Sequence, residues 1–197
     1  MLALTCLVNV GALIFPMRIP LCSLLIIISG IAAAQKKFTI SQGTIKFASK
    51  AQLELIQANS NQLQGIINPT SNQFAFLVNI KSFQGFNSGL QRQHFNENYM
   101  ESEKFPVAKF SGKIIEQVNF TTDNTIEVRA KGELEIHGQK QIRIIKAKIT
   151  VKGNQLAVEA HFLVPLSDHS ITIPKIVSQK IATEIEVDIN ALLSQEP

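Results

Sequence analysis

The chain has 197 residues, 45% hydrophobic and 17% charged, and its 19 Lys and Arg against 15 Asp and Glu leave a formal charge of +4. That excess is spread along alternating positions rather than gathered into a basic block interleaved with aromatics, which argues against nucleic-acid binding. The two cysteines, Cys6 and Cys22, lie within the first 34 residues, so a protein that begins after them has no disulfide, no thiol nucleophile and no cysteine metal ligand.

The N-terminal stretch reads as a leader rather than as part of a fold. Met17-Arg18 opens a segment whose sole charge is Arg18, an apolar run covers residues 21–28, and Ala32-Ala33-Ala34 precedes Gln35. That order is a secretory signal peptide with its small-residue cleavage site, and residues 1–16 read as an upstream extension. An uncleaved N-terminal anchor is the alternative, opposed by Pro16, Pro20 and the well-formed cleavage site. The expected division is a leader over 1–34 and one domain over 35–197, periplasmic or secreted.

The mature region, about 160 residues, is long enough for one core that buries about two-thirds of its unfolded surface. Its pattern is β throughout, with strands expected near 36–49, 52–58, 62–68, 73–83, 106–117, 125–137, 140–151, 155–165 and 181–191. Turn residues separate them: Asn59-Ser60-Asn61, Asn68-Pro69-Thr70, Thr122-Asp123-Asn124, His137-Gly138 and Gly153-Asn154. Over 73–81, Phe74, Phe76 and Val78 share one face. Over 107–115, Ala108, Phe110, Gly112 and Ile114 share one face.

The longest alternation covers 125–137, with Ile126, Val128, Ala130, Gly132, Leu134 and Ile136 on one side and charged residues on the other. Ala130 and Gly132 are small residues at mid-strand on the apolar face. They leave volume for a ligand, or they oppose bulky partners in a solid core. On the next strand the apolar parity flips between Ile144 and Ile145, for which a β-bulge is the economical expectation. Ala147 lies on its second face, and Leu156, Val158 and Phe162 share a face of the strand over 155–165.

Two segments break the β rhythm. Residues 83–105 carry Leu90, His94, Phe95, Tyr99 and Met100 amid polar residues, with Leu90, His94 and Phe95 at helical spacing after an Asn87-Ser88 cap. This reads as a lid over one barrel end or as a long connector that closes the core. Residues 174–180 form a short turn or helix entered by Pro174.

The run from Ser88 through His94, Phe95, Tyr99 and Met100 to Phe105, Pro106 and Phe110 resembles the signature of the YceI-like family. Those proteins are exported, lipocalin-like barrels associated with polyisoprenoid lipids. Gly132-Glu-Leu134-Glu-Ile136-His-Gly138 is similar to the family's turn between two long strands, and residues 168–174 with the last strand resemble its C-terminal end. Many members carry an Arg-Asp pair before the helical His, where this chain has Gln91-Arg92. The resemblance covers residues 36–193 and implies a single antiparallel lipocalin-like barrel, all-β, with a short helical lid segment.

Catalysis finds little footing. There is no Gly-x-Ser-x-Gly, no glycine-rich phosphate loop, and the carboxylates alternate outward along strands. His94, His137, His161 and His169 show no zinc spacing, and His137 and His161 fall outward by parity. No metal and no cofactor is expected. Asn119-Phe120-Thr121 matches a glycosylation acceptor, a short pattern that decides nothing alone.

The expected function is to enclose an isoprenoid or similar long apolar chain. Lining candidates are Phe74, Phe76, Val78, Phe110, Ile114, Val128, Ala130, Leu134, Ala147, Leu156, Val158 and Phe162, with Leu90, His94, Phe95, Tyr99 and Met100 at the cavity mouth. The partner is then a lipid, with membrane contact at most transient. The competing reading is a ligand-free structural or stress-response barrel that acts through its surface.

Overall fold

A computed structural model describes residues 36–195. The expected leader, its cleavage site and both cysteines lie outside the described residues. Nine strands follow in order: β1 (Phe38–Lys50), β2 (Leu55–Ser60), β3 (Gln64–Asn68), β4 (Gln73–Asn79), β5 (Val107–Ile114), β6 (Asn124–Ile136), β7 (Gln139–Lys152), β8 (Gln155–Pro165) and β9 (Glu184–Gln195). All pairings are antiparallel, and β1 pairs with β9 to close the sheet. Closure removes the free edges that an open sheet would present.

The barrel has eight strands around its wall, because β2 and β3 together make one. Phe38 lies opposite Ile67 and Ile45 opposite Ser60, seven residues on along each strand, so both follow β1 in one register. The turn expected at 59–61 is therefore a break within a continuing path rather than a reversal. Beyond β4, a 3-10 turn at Ile80–Ser82 is capped by Asn79, whose side chain accepts from Lys81 N. It ends β4 four residues before the strand expected to reach 83, and Asn59 then bridges to Gln84.

The expected bulge in β7 is absent. Val151 through Gln139 pair with Asn124 through Ile136 without a break in register. The parity change has another cause: Ile142 and Ile144 simply face outward, Ile142 at 68% exposure, while Ile145 is buried. On Ile145's parity, Gln141 and Arg143 occupy the place where β7 and β8 diverge. Gln141 Nε2 donates to Asp168 O at 2.8 Å, and Arg143 donates to Leu163 O at 2.8 Å and Asp168 Oδ2 at 3.3 Å. Polar side chains there satisfy backbone groups that the strand pair leaves open. The bulge of this barrel is in β1 instead, where the register against β9 shifts between Ile40 and Gln42.

Gly112 and Gly132 sit directly opposite each other on β5 and β6. A Cβ on Gly132 would fall 2.3 Å from Ser111 O, and one on Gly112 would fall 2.1 Å from Lys131 O. Gly132 thus permits a close approach of two backbones; it does not make room in the interior as its parity suggests.

Candidate functional site

Strand direction gives the barrel two unlike ends. At the end holding the β3–β4 and β7–β8 turns, Phe38, Ile67, Phe120, Val151, Leu156 and Leu193 pack into a core, with the Phe38 and Phe120 rings 5.9 Å apart. Above this floor lies an apolar cavity of about 530 Å³. That volume falls within the range of small-molecule sites.

The cavity wall includes Phe74, Phe76, Val78, Phe110, Ile114, Val128, Ala130, Leu134, Ala147, Val158 and Phe162. Leu156 lies elsewhere: it is fully buried in the floor, paired with Leu193 across β8 and β9. Alternation reports the face of a residue but not its depth. Four alanines, Ala108, Ala130, Ala147 and Ala160, line the cavity from four adjacent strands, β5 to β8. Their small side chains leave the volume that branched residues would occupy in a filled core.

Leu90, His94, Phe95, Tyr99 and Met100 also line this cavity. The short helix α1 (Gly89–His94) is capped by Ser88, whose Oγ accepts from Gln91 N at 3.1 Å. It runs on as a π-helical turn, Phe95–Tyr99. Phe95 fastens this lid: its ring stacks on Phe47 at 5.3 Å and 18°, and meets Phe83 and Phe86 at 5.9 and 5.1 Å. Met100 is buried against Ile80 and Ile171. Partial burial raises the Tyr99 phenol above its usual range, and its hydroxyl has no hydrogen-bond partner among the described residues. His94 is exposed at the rim.

Sequence reasoning missed the β1 and β9 wall, including Ile45, Phe47, Ile185, Val187 and Ile189. In the strand expected near 181–191, Ile181, Thr183, Ile185, Val187 and Ile189 alternate with Ala182, Glu184, Glu186 and Asp188, a signal that supplies the β9 residues. Phe83 and Phe86 carried no such signal, because they lie outside any regular alternation.

A polar clasp binds the lid to the barrel end. His137, expected outward on a strand, is instead in the β6–β7 turn with φ 52°. Its Nδ1 lies 3.1 Å from His169 O and its Nε2 3.0 Å from Glu101 Oε1. His169 is completely buried, with Nδ1 3.3 Å from Gln139 O. Burial holds its imidazole below the usual pKa, against the pull of the Gln139 and Ile136 carbonyls and Asp168; Arg143 adds to the lowering. His161 is exposed and pairs with Asp188 at 2.7 Å. Among the described residues no group of three His, Cys, Asp or Glu converges to hold a metal, and no helix is long and apolar enough to cross a membrane.

Three solved structures share this architecture. A polyisoprenoid binding domain from Saccharophagus degradans, implicated in plant cell wall breakdown, superposes with a TM-score of 0.68 at 14% identity, covering 82% of this chain and 99% of that one. Burkholderia cenocepacia BcnA gives 0.63 at 12% identity, over 76% and 95%. The Campylobacter jejuni YCEI protein gives 0.54 at 14% identity, over 75% and 89%. At these identities the likeness is one of fold. No curated protein matches the chain. The model of the YceI-like domain matches residues 29–193, and the chain belongs to that family.

Proposed function

We propose that this protein is an exported, non-enzymatic carrier that holds the tail of an isoprenoid or similar long lipid in its barrel. The observation that carries the reading is the apolar cavity of about 530 Å³, closed by a packed floor and reached past a lid. Burial of apolar surface at about 25 cal/mol per Å² gives a long tail ample affinity without many polar contacts. The eleven wall residues, without Leu156, contact the tail, and Leu90, His94, Phe95, Tyr99 and Met100 frame its entry. The solved polyisoprenoid binding domain of the same fold supports this ligand class. Export rests on the Ala32-Ala33-Ala34 site, which places the mature N-terminus at Gln35.

The test is organic extraction of the purified, exported protein followed by mass spectrometry, with N-terminal sequencing of the same material. A stoichiometric long-chain lipid and an N-terminus at Gln35 are the expected results. Protein that carries no lipid, and takes up none when offered polyprenols, leaves the ligand-free structural barrel as the better description.

A further inference from the structure

Around the cavity mouth, large aliphatic side chains point to solvent. Ile176 is 92% exposed, Leu53 63%, Leu90 60% and Leu55 46%. They come from three segments that meet there. Leu53 N donates to Gln179 O at 2.9 Å, which joins the β1–β2 turn to the 175–181 segment. Asn87 Nδ2 donates to Leu55 O at 3.0 Å, and Gln91 Nε2 to Glu54 Oε1 at 3.0 Å, which join the same turn to the lid. Leu90, Val177 and Lys180 also line the cavity, so this apolar rim is continuous with its entrance.

The segment that carries Ile176 is basic: Lys175 and Lys180 are its only charges over residues 171–183. Lys175 and Lys180 flank Ile176, are exposed, and have no ion-pair partner among the described residues. Of the nearby carboxylates, Glu186 pairs with Lys50 at 2.6 Å, while Glu54, hydrogen-bonded by the neutral Gln91 amide, and Glu184 at the start of β9 keep their charge on the neighbouring segments.

We propose that this rim docks on an anionic lipid bilayer and seats the cavity mouth on the source of its ligand. The inference rests on the carrier reading and gives it a route of loading. Isolated aliphatic tips with free lysines beside them suit insertion at an anionic interface, where chains enter the acyl boundary and cations stay at headgroup level. A protein partner would be expected to find aromatic and Arg anchors in a packed patch. The rim residues Leu53, Leu55, Leu90 and Ile176 include none.

The experiment reads the rim locally. In the exported mature protein, which has no cysteine from Gln35 onward, an environment-sensitive fluorophore is attached at Ile176→Cys, or at Asn154→Cys in the β7–β8 turn of the closed end. Vesicles of phosphatidylcholine and phosphatidylglycerol at 3:1 should brighten and blue-shift the Ile176 label. The Asn154 label should not respond, and pure phosphatidylcholine should give at least a fivefold weaker response. The Leu53→Asp/Ile176→Asp pair, outside the cavity wall, should lower the vesicle-bound fraction at least tenfold while a polyprenol offered in detergent is still taken up as by wild type.

No response at Ile176, or equal responses at both labels, overturns the proposal. So does a response that follows protein concentration without vesicles, which would identify a second copy as the occupant. Failure of the carrier reading is read separately, as an absence of lipid in the extract.

Discussion

One methyl group separates Ala130 from Gly132, and the two small residues serve different ends. Ala130 faces the cavity, so Ala130→Leu adds volume where a tail would lie. Gly132 faces the β5 backbone, and even one methyl would collide with Ser111 O. Ala130→Leu is expected to cut retained lipid several-fold with a melting temperature close to wild type. Gly132→Ala is expected to destabilise by about 1–3 kcal/mol, the scale of overpacking, with lipid retained by the fraction that stays folded. Lipid extraction and urea denaturation of both variants check the contrast; a Gly132→Ala protein as stable as wild type would contradict the close-approach role.

His169 gives a second prediction at this scale. Its folded pKa lies below the ordinary 6.5 because burial disfavours the imidazolium. The unfolded chain therefore binds the proton more readily. The contribution of His169 to stability is complete above pH 6.5 and declines as pH falls through the folded pKa. Urea midpoints measured from pH 7.5 to 5 should fall more steeply in wild type than in His169→Gln, which is less stable throughout but flatter.

Among the elements, the lid is the one that depends on contacts its own helix does not supply. Helix α1 has six residues and buries none of them, too short to be stable alone. Phe95 links it to Phe47, Phe83 and Phe86. Phe95→Ala should leave the barrel folded and speed release of a bound fluorescent polyene at least tenfold, measured by transfer to acceptor vesicles. Unchanged release would mean that the lid does not gate the mouth.

The same element shows what could be read in advance. Its interruption of the alternation, the Ser88 cap and the apolar stripe were all local signals, as were the strands, whose period of two is written in neighbouring residues. Partners for Phe95 were not local: Phe47 lies 48 positions away and reaches it through barrel closure. The misread bulge has a related origin. Ile142 and Ile144 are apolar on the outer face, while Gln141 and Arg143 turn toward the 166–169 segment, a pairing that no strand pattern reveals. Gly132 had the right parity for a cavity, but its use depended on the glycine opposite it on another strand.

At the scale of the whole barrel, a packed floor below an apolar cavity separates what holds the fold from what would hold a ligand. Phe38, Val151, Leu156 and Leu193 are each at most 1% exposed, and none of them lines the cavity. The delipidated protein should therefore remain folded, with the ligand adding stability by mass action. At a free ligand concentration 100 times Kd that addition is about 2.7 kcal/mol. For a domain of this size each kcal/mol shifts Tm by roughly 2–4 °C, so loading should raise the melt by roughly 5–10 °C. Because no cysteine lies among the described residues, neither melt of the mature protein should respond to dithiothreitol. Calorimetry of protein stripped by organic solvent, refolded and reloaded with a defined polyprenol measures both effects. A stripped protein that fails to refold would make the lipid part of the core. One that refolds and shows no shift on loading would mean that the cavity does not take this class of ligand.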